Sequence, residues 1–158
     1  MSIEEFDLLA FLPYRLAVLS ERVSRRLSAE YARLHGLSVA EWRVMVHLLS
    51  FQEVSIREIC DYANLDKPKA SRAVARLEQN GWVRKKSAEG DGRLVAISLT
   101  EEGHKVMEDI IPAAKDVERN LLEALSPADH IHLGEIVEKL HAVLDRDPKA
   151  RPRAQKSA

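Results

Sequence analysis

The sequence has one cysteine, Cys60, among 158 residues, and this scarcity restricts the chemistry of the chain. A single thiol forms no internal disulfide and builds no cysteine-based zinc site within one chain. Cys60 is in line with Ile56, Ile59 and Ala63 on an apolar stripe, which favours a buried core thiol over a redox sensor. A chain without disulfides suits a reducing compartment, so we expect the protein in the cytoplasm.

Long apolar runs are also missing. No stretch approaches the roughly 18 to 20 uninterrupted apolar residues that a membrane span needs. The acidic start, residues 1–7, does not resemble the basic opening of a signal peptide. We therefore expect no membrane partner. A composition of 46% apolar and 31% charged residues is typical of a folded, soluble domain.

Arrangements typical of enzymes and metal sites are absent as well. The sequence holds no nucleophile elbow, phosphate-binding glycine loop or H-E-x-x-H pattern, so we expect neither an enzyme nor a cofactor. His130 and His132 are two residues apart and would point in different directions on a helix. Together with His141 they make a poor zinc set, and we expect no metal.

Charge is unevenly distributed along the chain, although the net charge is only −1. Residues 67–86 contain seven basic groups and one acid, whereas residues 101–147 contain five basic and twelve acidic groups. A local basic segment of this kind is the usual mark of a nucleic-acid interface, and the overall charge can conceal it.

Apolar spacing and capping residues predict a helical protein with one hairpin. A long helix ends near Gly36, and a second covers about 39–50 after the capping box that begins at Ser38. A short helix, a tight turn at 63–65 and a helix over about 67–80 follow. The periodicity then changes to two, which predicts a β-hairpin, and two more helices start at Thr100 and Ser126.

Two short helices, a tight turn and a hairpin make a winged helix-turn-helix. On the helix over 67–80, Lys69, Arg72 and Arg76 lie within about 60° of one another, and the apolar residues lie on a different face. Such a basic face fits a DNA major groove, where arginine reads guanine. A merely solvated basic face is the alternative, which the flanking elements disfavour. The predicted DNA-binding residues are Ser38, Lys67, Pro68, Lys69, Ser71, Arg72, Arg76 and, for the minor groove, Arg93 in the hairpin tip.

The run over residues 65–83, the Asp91-Gly92-Arg93 tip and residues 97–103 resemble the MarR family of bacterial regulators. The resemblance implies a mainly α fold with a small β-hairpin wing. It assigns residues 1–36 and 101–147 to a helical dimerisation region, and residues 37–100 to the winged DNA-binding domain. It also implies a homodimer on a pseudo-palindromic double-stranded operator. Beyond these units, the composition of residues 148–158 predicts a disordered basic tail.

The segments around Arg15 and Glu41 resemble, more loosely, family members that control aromatic-acid catabolism. This resemblance implies a small aromatic acid or an acyl-CoA as effector. The residues expected to bind it are Arg15, Leu19, Trp42, Arg43 and Val46. Their alternative role is structural, with Trp42 in the core and the arginines in ion pairs or on DNA phosphates.

A second class of function stays open at this point. The chain is alternatively a DNA-architectural or protein-interaction module that uses the winged fold without effector control. Sequence-specific binding to a palindrome would separate a regulator from an architectural protein, which binds with little sequence preference.

Overall fold

The computed structural model describes residues 3, 6–87 and 95–153. Within these residues the fold is mainly helical with a small antiparallel sheet, which confirms the predicted fold class. In chain order the elements are α1 (Leu12–His35), α2 (Val39–Phe51), β1 (Glu53–Ser55), α3 (Ile56–Tyr62), α4 (Lys67–Gln79), β2 (Val83–Ser87), β3 (Val95–Leu99), α5 (Glu101–Leu122) and α6 (Pro127–Leu144).

Side-chain caps fix where most of the helices begin. Ser38 and Ser55 form reciprocal capping boxes, in which each hydroxyl accepts from the N3 amide and the N3 glutamate accepts from the serine amide. Asp66, Thr100 and Ser126 cap α4, α5 and α6 through their side-chain oxygens. Helix starts are therefore set locally, and the predicted starts of these helices are confirmed.

The sheet has three strands in the order β1-β3-β2, and both pairs are antiparallel. The β2–β3 hairpin is the predicted wing, and its tip, residues 88–94, lies outside the described residues. Strand β1 was not predicted, because three residues are too few to show an alternating pattern. Its central residue, Val54, is buried opposite Ile97 of β3.

One hydrophobic core joins the end of α1, helices α2, α3 and α4, the sheet and α5. Helix α4 supplies its apolar face to this core, and α2 packs against that face. The most deeply buried side chains come from all of these elements: Tyr31, Val44, Met45, Leu48, Ile59, Ala70, Val74, Leu77, Ile97, Met107 and Ile110. This burial holds α4 so that its opposite face is presented to solvent.

Helices α1 and α5 pack together beside the winged domain. At the end of α1, Tyr31 is buried and His35 Nε2 lies 3.1 Å from Asp109 Oδ2 of α5. Helix α6 differs from the others because none of its residues is buried. Its exposed apolar side chains are Ile131, Leu133, Ile136, Val137, Leu140, Val143 and Leu144. Across the described part of the chain, no helix is long and apolar enough to cross a bilayer.

The chain after α6 folds back so that Arg153 contacts that helix. Arg153 Nη1 lies 2.9 Å from Glu138 Oε2, and its Nη2 lies 3.1 Å from Asp145 Oδ2. These ion pairs hold Arg153 at α6, and the disorder predicted from the composition of residues 148–158 stays a prediction. Residues 154–158 lie outside the described residues.

A substitution at Gly103 tests how closely the start of α5 approaches the backbone of Trp82. A Cβ at this position would overlap the backbone carbonyl oxygen of Trp82 and would lie 3.2 Å from Leu99 Cδ2. That carbonyl also accepts a hydrogen bond from the amide of Thr100. We expect Gly103→Ala to lower the free energy of unfolding by about 1 to 3 kcal/mol, measured by urea denaturation.

Gly134 on α6 is the matched control. A Cβ there meets no atom of the chain within 4 Å. Gly134→Ala is expected to raise the free energy of unfolding by about 0.5 to 1 kcal/mol, since alanine favours a helix interior. Equal effects of the two substitutions would contradict the close approach of Trp82 to α5.

Candidate nucleic-acid interface

The exposed face of α4 carries a concentration of positive charge. Asp66 starts the helix by accepting from the Lys69 amide at 2.8 Å, and Pro68 occupies the first turn, where its missing N–H costs little. Ala70, Ala73, Val74 and Leu77 are buried, whereas Lys67, Lys69, Arg72 and Arg76 are exposed. The predicted division of α4 into an apolar face and a basic face is present in the fold.

A cleft of about 340 Å³ separates this basic face from the start of α2. It brings together four of the predicted residues, Ser38, Lys69, Arg72 and Arg76. The N-terminus of α2 carries the positive end of the helix dipole and lies at the same cleft. Backbone and side-chain positive charge therefore converge on one side of the molecule, as binding to a polyanion requires.

Two of the three cations at this cleft are held in ion pairs. Lys69 Nζ lies 3.3 Å from Asp66 Oδ2. The backbone and side-chain hydrogen bonds from Lys69 lower the pKa of Asp66, which stays ionised at neutral pH. Arg76 Nε lies 3.2 Å from Oε1 of Glu41, a side chain that is only 5% exposed. Arg72 forms no ion pair among the described residues, so its guanidinium is available for a ligand.

Glu41 is the N3 residue of the predicted capping box that begins at Ser38, and that pattern predicts only a backbone contact for its side chain. Its carboxylate has two oxygens, and the capping box uses one of them, Oε2, which accepts from the Ser38 amide at 2.8 Å. The other oxygen reaches Arg76 of α4, which is 35 residues further along the chain. The capping pattern gave no signal for that contact, because the pairing depends on how α2 and α4 pack.

Ser71 lies on a second cleft, of about 420 Å³, between α3, α4 and the hairpin. Arg57 and Lys85 also line this cleft, and neither was among the predicted contact residues. Lys85 Nζ pairs with Glu78 Oε2 at 3.1 Å, which ties β2 to α4. Lys67 and Pro68 lie at the start of α4, outside both clefts, and Arg93 lies outside the described residues.

The five residues predicted for an effector do not share one site within the chain. Trp42, Arg43 and Val46 line a cleft of about 520 Å³. Leu19 lines a different groove, of about 440 Å³, between α1 and α5, and Arg15 lines neither of the two. They were grouped because the segments around them resemble related regulators, and that resemblance does not specify which helical faces meet in this chain.

The cleft around Trp42 has aromatic side chains on its wall together with polar ones. Trp42 stacks on Tyr31 with ring centroids 5.0 Å apart, so one face of the indole belongs to the core. His47 is buried beside Phe51 and Tyr62, with centroid separations of 4.5 Å and 5.8 Å. Burial lowers the pKa of His47, against an opposing effect of Glu58, so the ring is neutral at pH 7.

Comparisons of sequence agree with this architecture. A sequence profile of the MarR family matches residues 35–94, which extend from the end of α1 into the hairpin tip. The HTH-type transcriptional regulator YwoH of Bacillus subtilis (strain 168) is 32% identical to this chain over 103 residues. The match covers 65% of this chain and 74% of YwoH.

Comparisons of structure give the same result. Sco3205, a MarR family transcriptional regulator from Streptomyces coelicolor solved in complex with DNA, is similar with a TM-score of 0.75 and 28% identity. The match covers 88% of this chain and 89% of that one. The organohalide-sensing regulator RdhR in its 2,4-dichlorophenol-bound form has a TM-score of 0.76 at 16% identity. The match covers 100% of this chain and 95% of that one. Because the identity is low, this comparison shows only that the two folds are alike.

Proposed function

Because this chain belongs to the MarR family of DNA-binding transcriptional regulators, we propose that it is a ligand-responsive repressor of a nearby operon. Its DNA target implies that it acts in the cytoplasm. The observation that carries the proposal is the exposed basic face of α4 beside the N-terminus of α2. An α-helix fits the major groove, and arginine donates to the O6 and N7 acceptors of guanine there.

We assign the reading of DNA to Lys69, Arg72 and Arg76, with support from Ser38, Lys67, Pro68, Ser71 and Arg93. Arg72 is the sharpest test, because it has no ion pair among the described residues and lies at the cleft between α4 and α2. We expect Arg72→Ala to weaken operator binding by about 1 to 3 kcal/mol and to relax base preference at one position of each half-site. Fluorescence anisotropy would measure this on an operator selected from a random-sequence duplex library.

Arg119→Ala is the control for loss of charge alone. Arg119 is also exposed, on the acidic helix α5, and pairs with Asp116 at 2.7 Å. If the two alanine variants bound the operator equally well, the assignment of Arg72 to base reading would be wrong. If the selection enriched no sequence at all, the chain would be an architectural protein instead.

The exposed apolar surface supports a homodimer built from residues 1–36 and 101–147. Helix α6 buries none of its side chains. Further exposed apolar residues lie just before α1 and at its first position: Leu8, Leu9, Phe11 and Leu12. The groove between α1 and α5 has apolar walls at Leu19, Val23, Val117 and Leu121. Surfaces of this extent are typical of a two-fold interface, which would place two winged domains, residues 37–100, on half-sites about 34 to 36 Å apart.

Ile136, half exposed at the centre of the α6 stripe, tests the dimer. We expect Ile136→Glu to shift the protein to a monomer at micromolar concentration in sedimentation velocity, since a charge would be buried without a partner. Ala142→Glu adds the same charge on the opposite face of α6 and should leave the dimer intact. A monomeric wild-type protein would refute the interface.

For the effector we propose a small aromatic acid or an acyl-CoA derived from one, which would link the regulator to aromatic-acid catabolism. Trp42 and Val46 offer apolar walls, and Arg43 offers a cation for a carboxylate or phosphate. The cleft volume of about 520 Å³ lies in the range of small-molecule sites.

A thermal-shift screen of aromatic acids and their CoA thioesters tests the effector site. We expect a hit that raises the melting temperature and releases operator DNA, because an effector must bind the DNA-incompetent state more tightly. Arg43→Ala should abolish both effects, and Arg15→Ala, outside the cleft of the single chain, should preserve them. A hit that survives Arg43→Ala would remove this cleft as the binding site.

A further inference from the structure

Glu41 is the one carboxylate that is buried in the described part of the chain. Its Oε2 accepts from the Ser38 amide at 2.8 Å, and its Oε1 lies 3.2 Å from Arg76 Nε. A buried charge is costly unless hydrogen bonds and an opposite charge compensate it, and Glu41 has both. The carboxylate is therefore fixed at the start of α2, and it fixes the inner part of the Arg76 guanidinium.

The ion pair with Glu41 involves only one of the three nitrogens of the Arg76 guanidinium. Glu41 contacts Nε, the nitrogen closest to the backbone, while the Arg76 side chain remains 65% exposed. A fork of two guanidinium nitrogens reads the O6 and N7 atoms of guanine. An arginine held at Nε presents its two terminal nitrogens in one orientation, and less rotamer freedom is lost when it meets a base.

An arginine without this restraint behaves differently on DNA. A long, mobile cation pairs readily with phosphates, which carry no sequence information. A carboxylate next to the arginine also repels nearby phosphates, and this lowers affinity for DNA of any sequence. Both effects raise the ratio of specific to non-specific binding.

We propose that Glu41 is a positioning residue that sets sequence specificity, by aiming Arg76 at a base and holding it away from phosphates. The proposal rests on the proposed function, in which Arg76 faces the major groove. It adds a role for α2 beyond packing and capping, because the side chain that starts α2 controls the side chain that reads DNA.

Two matched substitutions separate the positioning role from capping. Glu41→Gln keeps an oxygen for the capping box, which glutamine also supports, but removes the charge that holds Arg76. Glu58→Gln makes the identical change in the capping box of α3, where Glu58 accepts from the Ser55 amide at 2.7 Å. Glu58 forms no ion pair with an arginine or lysine among the described residues, so Glu58→Gln reports the loss of a capping-box charge at a site away from Arg76.

The measurement is the ratio of affinities for the selected operator and for a scrambled duplex, by fluorescence anisotropy at several salt concentrations. We expect Glu41→Gln to lower this ratio about tenfold, with the base preference lost at one position of each half-site. Glu58→Gln should leave the ratio within twofold of the wild type. Equal ratios for the two variants would overturn the proposal.

Arg76 variants distinguish failure of this inference from failure of the proposed function. If Glu41 acts through Arg76, Glu41→Gln should have no further effect on the ratio in an Arg76→Ala background. If Arg76→Ala alone left the ratio unchanged, Arg76 would not read DNA and the assignment under the proposed function would fail. If Glu41→Gln unfolds the protein, Arg76→Lys replaces it as the test, because lysine keeps the charge but lacks Nε. Arg76→Lys should lose the same base preference. An unchanged base preference in this variant would overturn the proposal.

Discussion

The burial of one face of α4 against α2 and the sheet is the constraint on which the interface depends. Ala70, Val74 and Leu77 have no exposed surface, and the small side chains Ala70 and Ala73 let α2 approach closely. Since a helix presents fixed faces at 100° per residue, this packing determines which residues point outward. The basic face therefore owes its position to apolar contacts on the opposite side, and shifting the core would redirect every cation on it.

Charge is organised on a larger scale than the individual ion pairs. The basic segment over residues 67–86 belongs to α4 and β2, and the acidic segment over residues 101–147 belongs to α5 and α6. A nucleic-acid duplex would be attracted to the first and repelled by the second, which orients the protein as it approaches. This orienting effect weakens over about 10 Å at moderate salt, so close contacts must supply the final register.

Features that depend on neighbours along the chain could be predicted from the sequence. Features that depend on the packing of distant segments could not. Caps such as Ser38 and Ser55 were predicted because the capping box spans four residues. Strand β1 was missed because its three residues show no alternating pattern, and because its pairing with β3 joins residues more than 40 positions apart. The same reason explains why Leu19 and Trp42 do not share a site.

Helix α2 links the two sites that are proposed for DNA and effector. Its first turn holds Ser38 and Glu41 at the DNA side, and Trp42, Arg43 and Val46 line the effector cleft on the same helix. A ligand that bound better to a rotated or displaced α2 would draw Glu41 away from Arg76, because a helix of 13 residues moves as a rigid element. The ligand would then lower the sequence specificity of DNA binding as well as the affinity for DNA, because Glu41 would no longer orient Arg76. Only the difference in its affinity for the two positions of α2 would drive this change.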